Sequence, residues 1–239
     1  MTDLQAPETL ARPLATRVAG LPEAAVMPAG APIPDAVIAA AVAALEQGKT
    51  HYTDRPGILG LRQWVSDALK GTAQINLKPG DITITCGSTE ARFVTFKRLL
   101  KPGETILCPG DSSRILGAAH LIGLSIVTTA ADPTAVRLVY LTPDVPAAER
   151  DSLLTQAAAH QWWVLWDISA ASSDFHPAQN TALAPRVITV GSLSPMMPGW
   201  RVGWMGGSEM ADKLRAYKQS MTICTTSISQ WAGIGAVVP

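Results

Sequence analysis

Three places in this 239-residue chain set polar, chemistry-bearing side chains just past a short apolar run. The first is Gly87-Ser88-Thr89, between the β-branched run 81–86 and a helix-forming stretch. A strand-to-helix turn of this composition offers backbone N–H groups, two hydroxyls and the positive end of a helix dipole, which together suit an anion such as a phosphate. The same residues also make an ordinary helix N-cap, and spacing alone leaves both roles open. The second is Asp167, which follows Trp162-Trp163-Val164-Leu165-Trp166. A carboxylate at the end of a buried strand is costly unless it is paired; capping the next turn is its simpler role. The third is Ser192, past the run 186–190. In open α/β sheets ligands bind outside the carboxyl ends of the strands, and that rule singles out all three.

These groups need elements to hold them. Pro34-Asp35 opens an alanine-rich run, 36–45, that closes at Gly48; an acidic first turn and a glycine stop predict a helix. After a loop over 51–60, the apolar residues Leu61, Trp64, Val65, Ala68 and Leu69 recur at helical spacing. Strands are expected over 81–86, 105–108, 125–129, 136–141, 162–166, 186–190 and 202–205, and further helices over 90–100, 115–121, 147–160 and 210–221. Strands alternating with helices predict a mostly parallel sheet covered on both faces, a three-layer α/β/α sandwich. Residues 1–30, rich in Pro, Ala and Gly, are expected to form an extended N-terminal arm, and residues 31–239 a single domain.

The chain is 47% hydrophobic and 16% charged, enough apolar material for a large core. Nineteen basic and nineteen acidic residues cancel, so no global field draws it to nucleic acid or an anionic membrane, and self-association meets little repulsion. Cys86, Cys108 and Cys224 form neither a disulfide framework nor a metal-ligand pattern, and are expected to be small buried hydrophobes in a reducing compartment. No apolar run is long enough to span a membrane, and residues 1–13 lack the apolar core of a signal peptide; a cytoplasmic location is expected.

The stretch from Val190-Gly191-Ser192-Leu193-Ser194-Pro195 to Gly199-Trp200-Arg201-Val202-Gly203 resembles the lysine loop of class I/II aminotransferases, the aspartate-aminotransferase-like enzymes of pyridoxal-phosphate (PLP) fold type I. His51-Tyr52-Thr53-Asp54 to Gly60-Leu61-Arg62, Ile84-Thr85-Cys86-Gly87-Ser88-Thr89, and Leu100-Lys101-Pro102-Gly103-Glu104 resemble further motifs of that family, in the family's order. The resemblance covers about residues 25–237 and implies the aminotransferase large domain, with the small C-terminal domain absent. It also implies that Gly87, Ser88 and Thr89 hold the cofactor phosphate, that Arg201 clamps it, and that Ser192 and Ser194 add hydroxyls. Asp167 would face the ring nitrogen, and Tyr52 would reach the phosphate of a neighbouring subunit, which makes the protein a homodimer or the partner of a paralogue.

The resemblance breaks at the reacting groups. The Schiff-base lysine falls on Leu193 or Pro195, and neither has an amine. Lys213 and Lys218 lie in the next helix, poorly placed to replace it. Val145 and Ala170 stand where the family binds the ring hydroxyl, and serine around Ser112-Ser113 stands where an aromatic would stack. His51 and His176 fall in loops near strand ends and read as solvated. Three functions follow: an aminotransferase-like protein that binds PLP or a related phosphate non-covalently, together with a small amino-acid-like ligand; a PLP or pyridoxamine-phosphate enzyme with lysine-independent chemistry; or a non-catalytic dimer partner or scaffold.

Overall fold

The computed structural model describes residues 33–207 and 209–237; the arm expected over 1–30 lies outside them. The elements are α1 (Asp35–Glu46), α2 (Leu59–Ala73), β1 (Ile82–Thr85), α3 (Gly87–Leu99), β2 (Thr105–Leu107), α4 (Ser113–Ile122), β3 (Ser125–Val127), β4 (Val136–Leu141), α5 (Ala147–His160), β5 (Trp163–Asp167), β6 (Val187–Ser192), β7 (Gly203–Gly206), α6 (Ala211–Thr222) and α7 (Ser227–Val237). One seven-stranded sheet runs in the order β1-β7-β6-β5-β4-β2-β3. From β6 through β3 every pairing is parallel, whereas β7 lies antiparallel to both of its neighbours. The expectation of a mostly parallel sheet holds.

Side-chain alternation along the strands builds two faces. On one, Leu138, Tyr140, Leu165, Ile188, Val190 and Met205 meet Ala91, Val94 and Phe96 of α3, Ile115 of α4 and Leu214 of α6. On the other, Ile82, Ile84 and Trp204 pack under α1, α2 and α7, while Val139, Val164 and Trp166 pack under α5. The result is the three-layer α/β/α arrangement. Among the described residues no helix is long and apolar enough to cross a membrane.

Four local readings need correction. The fifth strand starts at Trp163, not Trp162; Trp162 leaves the strand and its indole N–H donates to the Pro133 carbonyl at 3.0 Å. α7 was not expected at all. Cys86 is exposed at the start of α3, although Cys108 is buried as expected. His176 is 2% exposed rather than solvated. Its Nδ1 accepts from the Ala178 N–H at 3.1 Å, so Nε2 carries the proton and donates to Thr189 Oγ1 at 2.8 Å.

Burial pushes the His176 pKa down from 6.5 to about 4. The folded state therefore requires neutral imidazole, and the unfolded chain binds more protons between those values. Stability contributed by this group is complete above pH 6.5 and is lost as pH falls toward about 4, by about 3 kcal/mol. Chemical denaturation at pH 7 and pH 4.5 is expected to show this loss in the native chain and a smaller one in His176→Gln.

Candidate functional site

The antiparallel strand assembles the site. Gly203, the first residue of β7, stands opposite Thr85 at the end of β1 and opposite Ser192 at the end of β6. Arg201, two residues earlier, is thereby delivered to the turn where β1 gives way to α3. It has a left-handed backbone, φ 56° and ψ 55°, a conformation that costs a non-glycine residue energy and persists only where its surroundings impose it. Its guanidinium lies against Gly87 and reaches Thr89 Oγ1 at 3.5 Å.

Two glycines permit this approach. Gly87 has φ 71°, and a Cβ there would collide with the Arg201 guanidinium. A Cβ on Gly203 would come within 2.6 Å of the Ser88 nitrogen. The turn is fixed from below as well: Thr85 Oγ1 donates to the Gly87 carbonyl at 2.9 Å, and the Cys86 N–H donates to Glu90 Oε2 at 2.6 Å. The first N–H groups of a helix have no acceptor within the helix. Here they lie beside an exposed cation, an arrangement that favours an anion.

Asp167 has a different setting. Alternation along β5 turns it to the same face as Trp163 and Leu165, toward α3. There its Oδ2 accepts from Arg92 Nε at 2.6 Å and from the Tyr140 hydroxyl at 2.7 Å, while Oδ1 accepts from the Ser169 N–H at 2.9 Å. Arg92 also donates through Nη2 to Ser169 Oγ at 2.8 Å. Asp167 is 1% exposed and Arg92 5%. Burial on its own would raise the Asp167 pKa, but the Arg92 charge and the hydrogen bonds from Arg92, Ser169 and Tyr140 outweigh it and hold the carboxyl below its usual range. Burial, reinforced by the Asp167 charge, drives the Tyr140 hydroxyl far upward, so it stays protonated as a donor.

The structure therefore brings Gly87, Ser88, Thr89 and Arg201 together, and among the described residues no hydrogen bond joins Ser192, Ser194, Tyr52 or Asp167 to them. Ser192 Oγ donates to Ser194 Oγ at 2.7 Å and accepts from the Ser194 N–H at 2.9 Å, so the two serines serve each other. Ser192 lines a separate cavity of about 400 Å³ with Trp64, Pro195 and Trp204. Tyr52 is 80% exposed and outside the cluster. Leu193 is buried in the core and Pro195 is exposed. Lys218 is 0% exposed; its Nζ donates to Thr222 Oγ1 at 2.9 Å and lies 3.9 Å from Glu90 Oε1. Arg92 and Tyr140 were missed by the sequence reading. A cavity of about 800 Å³ opens beside the turn at Gly87, lined among others by Thr89, Arg92, Phe93, Arg114, Arg201 and Met221.

Comparison with known proteins identifies the fold. No protein-family model matches the chain. It is 37% identical over 79 residues to a probable aspartate aminotransferase of Methanocaldococcus jannaschii, covering 33% of this chain and 21% of that protein. It is 27% identical to a probable N-acetyl-LL-diaminopimelate aminotransferase of Bacillus subtilis, covering 85% of this chain and 60% of that protein. An aspartate aminotransferase structure from Thermus thermophilus, a double mutant, superposes with TM-score 0.74 at 23% identity, covering all of this chain and 71% of that one. An aromatic aminotransferase from Pyrococcus horikoshii superposes with TM-score 0.75 at 21% identity, covering 87% of this chain and 65% of that one. The chain has the aspartate-aminotransferase-like fold of PLP fold type I, and it spans 60% or less of the length of these two curated relatives.

Breaking one side of a buried ion pair strands the other charge, whereas removing both sides is far milder. Asp167→Asn is expected to lose about 3–5 kcal/mol of stability in chemical denaturation. Arg92→Met combined with Asp167→Asn is expected to recover most of it; additive losses would show that the two residues do not act as a pair.

Proposed function

We propose that this chain is a class I/II aminotransferase-like protein whose site holds a phosphate-bearing ligand without a covalent bond, and that it is not a competent transaminase on its own. The observation that carries the reading is the Arg201 guanidinium set against Gly87 and beside Thr89, over the first turn of α3. Gly87, Ser88 and Thr89 would take the anion through backbone and hydroxyl donors, and Arg201 would neutralise it. Ser192 and Ser194 support the loop that carries Arg201, since the Ser192 hydroxyl also reaches the Val202 carbonyl at 3.3 Å.

PLP is the ligand that the likeness puts first, and the residues fit it at one end. The phosphate end has its cradle. The ring end does not fit: Asp167, which would face the ring nitrogen, is sealed under Arg92 and Tyr140. An amine at position 193 or 195 is lacking, and Lys218 is buried against Thr222 and Glu90. PLP would therefore be held by its phosphate, and among the described residues that line the cavity none carries the Schiff-base amine. The three unpaired cysteines agree with a cytoplasmic location.

A second reading, a non-catalytic dimer partner, is favoured by the exposed apolar stripe Ile38, Val42 and Leu45 on α1, at spacings of four and three residues. The resemblance implies that Tyr52, exposed here, would reach the site of a second copy. Light scattering is expected to give a mass above that of the monomer, and Val42→Lys to lower it; a monomeric native chain would contradict the dimer.

The main reading is tested by titrating the protein with PLP, followed by absorbance and intrinsic fluorescence. Saturable binding is expected, weakened roughly tenfold or more by Arg201→Ala. Borohydride treatment is expected to leave the ligand dialysable. No saturation at millimolar ligand would overturn the reading.

A further inference from the structure

The disagreement at the ring end has a consequence for which ligands the cavity accepts. Asp167 is a full negative charge, buried, with three donors already on its two oxygens. A carboxylate offers about four lone-pair sites, and the nearest of its donors, Arg92 Nε, brings a permanent positive charge of its own. The side chain of Asp167 has no exposed surface and does not line the cavity, whereas Arg92, its ion-pair partner, does. Arg92 is itself held at a second point by Ser169, which in turn donates its N–H to Asp167. The four groups close on one another. Arg92 sits one helical turn after Ser88 and faces the same cavity as Thr89 and Arg201.

We propose that Arg92 is the specificity-determining residue of this cavity: it satisfies Asp167 from within the chain, so the site takes phosphate monoesters with an uncharged, apolar body and gives no preference to a ligand bearing a basic ring nitrogen. This inference rests on the phosphate-site reading for the other end of the ligand. The remaining walls agree with it. Beyond Thr89 and Arg201 the cavity runs along Phe93, Ala118, Leu121 and Met221, apolar surface between α3 and α4 that an uncharged body would cover. Arg114 and Arg201 border the same space and disfavour a further positive charge there, and the carboxylate of Glu90 on the same wall is engaged by the Cys86 N–H and the Thr222 hydroxyl.

The test compares two aromatic phosphate monoesters, phenyl phosphate without a ring nitrogen and pyridoxine 5′-phosphate with one, by calorimetric titration of the native chain and of Arg92→Leu. The native chain is expected to bind phenyl phosphate at least as tightly as pyridoxine phosphate. Arg92→Leu frees the Asp167 carboxylate and is expected to bind pyridoxine phosphate at least tenfold more tightly than phenyl phosphate, a preference that Arg92→Leu/Asp167→Asn loses. If Arg92→Leu does not fold, Arg92→Gln, which keeps a neutral donor, is judged by the same criterion. A tenfold preference for pyridoxine phosphate in the native chain would overturn the proposal, as would a folded Arg92 variant with no preference. If the native chain binds neither probe while the Arg92 variant binds pyridoxine phosphate, the phosphate-site reading fails and the role of Arg92 stands. If neither protein binds either probe, both fail.

Discussion

A buried carboxylate must find a positive or strongly donating partner, and the interior of this protein is organised around how Asp167 finds one. Strand alternation turns it inward to the face covered by α3, where solvent cannot reach. Arg92, Tyr140 and Ser169 answer it from a helix, a neighbouring strand and its own following loop. The pair ties α3 to the centre of the sheet, and α3 is the helix whose first turn forms the candidate anion site. The position of that turn and the charge state of the ring end thus depend on one ion pair. Buried pairs of this kind add little net stability compared with an apolar replacement, but they are unforgiving of the loss of one member.

The second constraint is topological. Five strands from β6 to β3 run parallel, and their carboxyl ends define one edge of the sheet. A loop that returns to that edge needs a strand running the other way, and β7 provides it, inserted between β1 and β6. Gly203 and Gly87 then let two backbones approach closely enough for Arg201 to lie on the turn. The strained backbone of Arg201 is tolerated because the flanking strand and the Ser192–Ser194 pair fix the loop on both sides.

Much of this was legible in the sequence. β4 over 136–141 and α5 over 147–160 match the expected bounds residue for residue, because β4 is an apolar run of strand-forming residues and Pro146 marks the start of α5. The turn at Gly87 and the loop at Arg201 were legible from composition and order. Other features carried no local signal. Nothing in residues 202–205 reveals that β7 pairs antiparallel, since direction is set by the partners. α7, Ser227–Val237, has two glycines and little polar–apolar contrast, so its helical period is faint. Arg92 reads as a solvated helix residue in Glu90-Ala91-Arg92-Phe93; only the neighbouring buried positions Ala91, Val94 and Thr95 hint that it points inward. The cost of burying Asp167 was recognised, but its partner was sought in a ligand rather than in the chain. His176 was misread for a related reason: a residue in a loop can be buried against the sheet, here beside Thr189 of β6.

The central claim is that the anion end of the site is open while the ring end is closed from within. Arginine Nε–H resonances, assigned with Arg92→Lys and Arg201→Lys variants and followed by hydrogen exchange as inorganic phosphate is added, test this directly. The account predicts that the Arg201 resonance shifts on saturation while the Arg92 Nε–H, held by Asp167, stays protected from exchange throughout. An Arg92 Nε–H that exchanges freely in the absence of phosphate, or an Arg201 resonance that does not respond, would contradict it.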